Sequence, residues 1–201
     1  MLTFHGANYL MLRSSDAIYR RARRASLIFG ILTFAGFALA GLWITFGIDG
    51  YYIASAIDRA AAPDPLNKSV VMTAGAWMHN YLNHPWTIAV PLVAFVAILL
   101  GVLFSRHEKA GPAFAASAVA CAGIIGTAGA SMFPFVLPSS YDPHSSLTVW
   151  DSTSSRLTLS LMLVTTLIFM PLIIFYTSWA YRVMRGKITT DHIETNDKSV
   201  Y

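Results

Sequence analysis

Charge is what this sequence has least of. Only 12% of its 201 residues are Asp, Glu, Lys or Arg, where a soluble globular chain carries about 25%. Mean hydropathy is +0.54 and 55% of the residues are hydrophobic. That composition excludes a disordered chain and argues against a water-soluble domain. Cysteine is all but absent: Cys121 stands alone, which excludes a disulfide-stapled secreted mini-protein.

The common signatures of chemistry are missing as well. No CxxC or HExxH occurs, and no phosphate-binding glycine loop; Gly123, Gly126 and Gly129 fall inside an apolar run and read as packing. Ser-His-Asp catalysis has no local signature. Of the histidines His5, His79, His84, His107, His144 and His192, only His5 lies in an apolar segment. A haem held between helices by two histidines is therefore not expected. His79 and His84 are five apart, near but not squarely on one helical face, and no zinc site is expected there. Met132, Met162 and Met170 read as core filler. No carboxylate lies centrally in an apolar run, so a proton or ion path through the spans has no acidic marker. The chain carries no self-sufficient catalytic or metal-binding set.

What it does carry is four long uncharged runs. Crossing a hydrocarbon core of about 30 Å takes roughly 20 apolar residues in a helix. Residues 26–48, 86–105, 113–133 and 157–181 all qualify. They are continuously apolar, not alternating, which disfavours a β-barrel. The expected fold class is an all-α membrane protein: a four-helix transmembrane bundle plus the end of a truncated preceding helix. That last element is 1–11, MLTFHGANYLM. It is too short to span and lacks the basic n-region and cleavage site of a signal peptide. It reads as the last turns of a helix whose beginning is missing, so the chain is expected to be a fragment or the product of an internal start; a surface-lying amphipathic segment is the alternative.

Orientation follows from Lys and Arg in the flanks. Arg13, Arg20, Arg21, Arg23 and Arg24 precede the first span, Arg106 and Lys109 join the second to the third, and Arg182, Arg185, Lys187 and Lys198 occupy the tail. That places eleven of the fourteen basic residues on one side, against Arg59, Lys68 and Arg156 on the other with Asp49, Asp58, Asp64, Asp142 and Asp151. The expected order is a basic cytoplasmic loop at 12–25, a periplasmic loop at 49–85, a cytoplasmic turn at 106–112, a periplasmic loop at 134–156 and a cytoplasmic tail at 182–201. The positive net charge is a topology signal, and no nucleic-acid partner is needed to explain it. In the first outer loop a turn at Pro63-Asp64-Pro65 precedes 68–82, which is free of breakers except Gly75 and is expected to form a surface helix with Trp77, Tyr81 and Trp86 at headgroup depth. Pro138 and Pro143 forbid a regular helix through the second. Small residues at Gly36 and Ala40, and at Ala122, Gly126 and Ala130, are spaced for close helix packing. Pro91 and Pro171 are expected to kink their helices.

The candidates for contact with a cofactor sit at the outer ends: Asp49 after the first span, and Trp150 and Asp151 before the fourth. Each aspartate also has a plain structural reading, Asp49 as a turn residue and Asp151 as the N-cap of the last helix.

Local strings add a resemblance. Gly47-Ile48-Asp49-Gly50-Tyr51, Asn67-Lys68 and Gly75-Ala76-Trp77, then TAGASMFPFVLPSSYDPHSSLTVWDSTSSRLTL from Thr127 to Leu159, and finally Tyr176-Thr177-Ser178-Trp179 with Arg185-Gly186-Lys187, together resemble subunit II of the cytochrome bd-type quinol oxidases. The resemblance covers essentially the whole chain. It implies an eight-helix subunit of two four-helix halves, of which this chain is similar to the second, with a C-terminus that looks complete. It implies haems b and d in a partner subunit I and none bound here, in agreement with the histidine positions. Carboxylates tied to proton or oxygen access would lie in the other half, so no residue here inherits that role. A quinone of structural character is held by subunit II in some members; its pocket cannot be assigned to residues here. The implied complex, in the bacterial inner membrane, oxidises quinol at the outer side, reduces oxygen to water and takes protons from the cytoplasm. This chain would be its haem-free scaffold, with subunit I, the N-terminal half of subunit II, lipid and quinone as partners. Two rival readings are a half-repeat of a small secondary transporter and a membrane interaction protein without redox involvement.

Overall fold

The computed structural model describes residues 1–56 and 64–183. Asp58, Arg59 and the Pro63 turn, and Arg185, Lys187, His192 and Lys198 of the tail, lie outside them. Helix α1 (Leu2–Arg13) ends where Ser14 and Ser15 turn extended, and α2 (Asp16–Phe46) starts at once. The expected loop at 12–25 is thus corrected: 12–13 end α1, 14–15 form the break and 16–25 are the first turns of α2. Ala and Arg are strong helix formers, and Asp16 sits in the first turn, where a carboxylate complements the helix dipole. At 31 residues α2 is about 46 Å long, so its arginine-bearing turns extend past the length a bilayer core needs.

Helix α4 (Ala89–Arg106) and helix α5 (Ala110–Met132) form an antiparallel pair, and α1 beds against α2, α4 and α5. Among the described residues four helices have the length and hydropathy to cross a membrane: Asp16–Phe46, Pro85–Arg106, Ala110–Met132 and Arg156–Val183. The last, α6 (Arg156–Val183), has no buried residue at all.

Close approach, not apolar bulk, holds the packed part together. Phe4 is completely buried between Gly30 and Gly101: a Cβ on Gly101 would stand 2.7 Å from the Phe4 ring, and one on Gly30 would strike Val102. Gly123 leaves room for Ala94, whose Cβ and Cα would lie 2.9 and 3.0 Å from an added Cβ. Ala97, Ile98 and Ala120 close the α4–α5 seam, against which Phe34, Phe37 and Ile124 pack. The glycines that matter are therefore 30, 101 and 123. Gly36 has nothing within 4 Å and Ala40 is exposed; Ala122 and Gly126 are exposed and Ala130 is half-buried, although Gly126 does approach Val90. The small-residue spacing was real, but most of it lies on faces turned away from the seam. Pro91 falls in the first turn of α4, where its missing N–H costs no helical bond, whereas Pro171 is well inside α6.

The outer segments contain strands that the helical reading did not foresee. β1 (Asp49–Ile53) pairs antiparallel with β2 (Val70–Ala74), placing Asp49 opposite Ala74 and Ile53 opposite Val70. The surface helix expected over 68–82 is replaced by β2, a 3₁₀ turn at Ala76–Met78 and the short α3 (His79–Asn83). Val70, Val71 and Thr73 are β-branched and suit a strand. Gly75 then turns the chain at φ 72°, a conformation open to glycine. In the second segment β3 (Phe135–Leu137) pairs with β4 (Leu147–Thr148).

Substituting Gly123→Ala is expected to destabilise the full-length protein by about 1–3 kcal/mol, because the added methyl meets the Ala94 backbone. Gly36→Ala is expected to be neutral or to stabilise by up to about 1 kcal/mol. Thermal denaturation in detergent separates the two.

Candidate functional site

The outer segments meet at a buried ion pair. Lys68 precedes β2 and Asp151 follows β4; Nζ and Oδ2 are 2.7 Å apart, with side chains only 1% and 7% exposed. A charge pair so deep survives only if its remaining valences are satisfied. Here Thr148 donates both its N–H (3.0 Å) and its hydroxyl (2.7 Å) to the same carboxylate oxygen, and Lys68 donates to the Pro65 carbonyl at 2.6 Å. Burial alone would raise the Asp151 pKa, but the Lys68 ammonium and the two Thr148 donors outweigh it and hold the carboxyl below the usual range. Asp151 is therefore not the N-cap of α6. That place belongs to Ser155, whose hydroxyl oxygen accepts from the Thr158 N–H.

Further bonds tie the same surfaces. The Val70 N–H donates to His144 Nδ1 at 3.2 Å. Asp142 fixes the histidine's turn by accepting from the His144 N–H and the Ser145 hydroxyl. Tyr51 donates to the Ser139 carbonyl at 3.0 Å, and its ring joins Trp77 and Phe135 in a cluster with centroids 5.5 and 5.9 Å away. The end of α5 is closed from α3. Asn80 donates to the Ala130, Ser131 and Phe133 carbonyls, and Tyr81 to the Thr127 carbonyl at 3.1 Å.

Of the three sequence candidates, Trp150 and Asp151 share the turn before α6. The Trp150 ring stands edge-on to Phe133 at 6.0 Å. Asp49 is exposed at the start of β1 and takes no part in the ion pair. Lys68, Thr148 and His144 were missed as site residues. The available signal was a lysine isolated among outer-side carboxylates, in a chain whose other bases sit almost entirely at the opposite ends. No nucleophile is activated in this arrangement; chemically it is a clamp joining the strand before α3 to the turn before α6. Among the described residues no three His, Cys, Asp or Glu side chains gather into a metal site. The described histidines fall at both ends of the fold. His5 lies between α1 and α5, its Nδ1 2.8 Å from the Ser117 hydroxyl and its ring stacked on Phe114. His79, which packs on Tyr52, lies at the opposite end with His84 and His144, and His107 follows α4.

Comparison with known proteins assigns this geometry to a group. The family model described as cytochrome bd terminal oxidase subunit II matches residues 1–184. The chain is 45% identical over 201 residues to the cytochrome bd-I ubiquinol oxidase subunit 2 of Escherichia coli K12, covering all of this chain and 53% of that protein. It is 44% identical over the same length to a probable cytochrome oxidase subunit 2 of Haemophilus influenzae, again 53% of which is covered. A cytochrome bd ubiquinol oxidase subunit 2 of Bacillus subtilis is 24% identical over 188 residues, 92% of this chain and 46% of that one. The chain thus spans about half the length of the curated relatives it matches.

Because the folded-state pKa of Asp151 is depressed, the clamp's contribution is fully present above about pH 4, the unfolded value, and is lost as pH falls through the lower folded one. Asp151→Asn, which leaves Lys68 buried without its counter-charge, is expected to cost about 3–5 kcal/mol locally and to abolish that acid dependence. The double change Lys68→Met with Asp151→Leu is expected to recover most of the loss. Hydrogen–deuterium exchange across 64–74 and 139–152, followed as a function of pH, reads all three.

Proposed function

The chain belongs to the cytochrome bd terminal oxidase subunit II family, and on that premise we propose that it is a haem-free scaffold within a membrane complex that oxidises quinol and reduces oxygen to water. The observation that carries this reading is α6. Its 28 residues have a mean hydropathy of 2.4 over the spanning window, and none of that window is buried within the chain. Much of the outer face of α2 is likewise apolar and exposed, with Leu39, Trp43 and Phe46 more than 60% accessible. We assign these faces to lipid on one side and, on the other, to a haem-bearing subunit I and the remainder of subunit II.

In this reading the arginine-rich start of α2 and the turn after α4 lie in the cytoplasm with the tail, and the ion-pair clamp lies on the periplasmic side, where quinol is oxidised. The haems, held by subunit I, supply the electron transfer and the oxygen chemistry. This chain's residues do mechanical and electrostatic work around them. The α1–α2–α4–α5 packing keeps water and lipid from one flank, and a dry flank strengthens electrostatic interactions near a redox centre. The clamp holds the outer segments in one arrangement, so that the surface offered to subunit I is preformed. Asp49 and Trp150, on that surface, are the residues of this chain proposed to stand nearest a quinone or the partner.

The full-length protein is expected to co-purify with a haem-bearing polypeptide from membranes, and to show no haem absorbance when expressed without it. Haem bound to this polypeptide alone would refute the scaffold reading. Solute flux through vesicles containing only this protein would favour a transporter instead.

A further inference from the structure

The face of α2 turned away from the rest of the chain has an order of its own. Successive residues of a helix are about 100° apart, which puts the buried Ala22, Ser26 and Gly30 about 200–280° round from Arg20. The opposite sector, about 0–100°, carries Arg20 and Arg24, then Ile28, Ile31, Leu39 and Leu42 around Ala35. The four bulky residues are each more than half exposed, and both arginines are exposed as well. One stripe thus runs from two guanidiniums into continuous hydrocarbon.

The charged end of the stripe is unbalanced. Residues four apart on a helix have Cβ atoms about 5–6 Å apart, and like charges so placed repel. Among the described residues no carboxylate relieves them: Glu108 is engaged by Arg23 at 2.7 Å, and Asp16, one turn before Arg20, makes no ion pair with it. Two neighbouring guanidiniums, each a planar fork of N–H donors, match the oxygens of a phosphate. The apolar end fixes what that phosphate is attached to. Ala35 lies about 16 Å along the axis from Arg24, about half of a 30 Å hydrocarbon core and so the depth of one leaflet. Trp43, 68% exposed, stands about 28 Å from Arg24, the distance to the opposite headgroups. Branched side chains at 28, 31, 39 and 42 keep another helix backbone at a distance. Gly36 and Gly41, which would admit one, lie off the stripe.

We propose that Arg20 and Arg24 hold the phosphate of an anionic phospholipid whose acyl chains lie along Ile28, Ile31 and Ala35. Of the two coverings assigned above to the exposed faces, this stripe of α2 takes the lipid, and it selects for negative headgroup charge. Such selection needs α2 to span a bilayer but does not need the scaffold role. Haem content and co-purification test that role, and lipid selection holds or fails independently of them.

The test uses the full-length protein in its purified complex, reconstituted into phosphatidylcholine nanodiscs with a trace of phosphatidylglycerol carrying a diazirine on one acyl chain. After illumination, labelled peptides are read by mass spectrometry and the haem content of the same sample is recorded. Label is expected on 28–35. It is expected to fall about 10- to 30-fold in the double variant Arg20→Gln with Arg24→Gln, the loss of two guanidiniums at a membrane surface. Arg156→Gln, which removes an exposed charge at the far end of the spanning helices, is expected to keep the label, and diazirine phosphatidylcholine to give several-fold less of it. If the double variant does not assemble, the comparison of the two lipids on the wild-type complex decides alone. Equal labelling by both lipids, or label that survives the double variant, would overturn the proposal. So would an unlabelled 28–35 covered by polypeptide, whether a partner or residues of this chain beyond 183.

Discussion

Helices surrounded by hydrocarbon gain little by hiding apolar surface from one another, because lipid tails are as apolar as leucine. Association has to come from shape and from polar bonds, and both are concentrated where the helices of this chain touch. Phe4 enters a slot that exists only because positions 30 and 101 have no side chain, and Ala94 meets bare backbone at Gly123. Side-chain hydrogen bonds then join α1 to α2 and α4 through Asn8, and α1 to α5 through His5 and Ser117. Along α6, by contrast, no residue is buried against the other described helices.

The same constraint governs helix ends. A helix leaves its last carbonyls without intrahelical donors, and in a membrane protein these must find partners from elsewhere in the fold. Arg23 serves the end of α4 by donating to the Ser105 and Arg106 carbonyls, and the chain turns there through Glu108 at φ 61°. Asn80 serves the end of α5. The two caps lie at opposite ends of the α4–α5 pair and come from different neighbours, so the pair is fixed in rotation as well as in distance.

How much of this could be read from the residues depends on the range of the interaction concerned. The spanning helices were legible because hydropathy acts locally and 20 residues suffice to express it. The start of α2 was not: five arginines looked like a loop, although arginine and alanine favour helix and only Ser14-Ser15 interrupts. The strands at 49–53 and 70–74 were obscured because each is short and its partner lies well away in sequence, leaving no periodicity to detect. Asp151 stood out as a polar residue at a span end, but its partner Lys68 lies on the far side of two helices, and cap and ion-pair roles look alike in sequence. Glycine spacing showed that close packing occurs without showing which face carries it; Gly36 and Gly123 differ only in what stands opposite. The Asn8 cluster draws one residue from each of three helices, and no single segment advertises it.

Lys68 also bears on how the protein enters its membrane. The pair joins the segments at the two ends of the α4–α5 hairpin. A chain in which one of these helices crossed the membrane and the other did not would strand an ammonium and a carboxylate on opposite surfaces, so the pair can close only where the hairpin has entered as a unit.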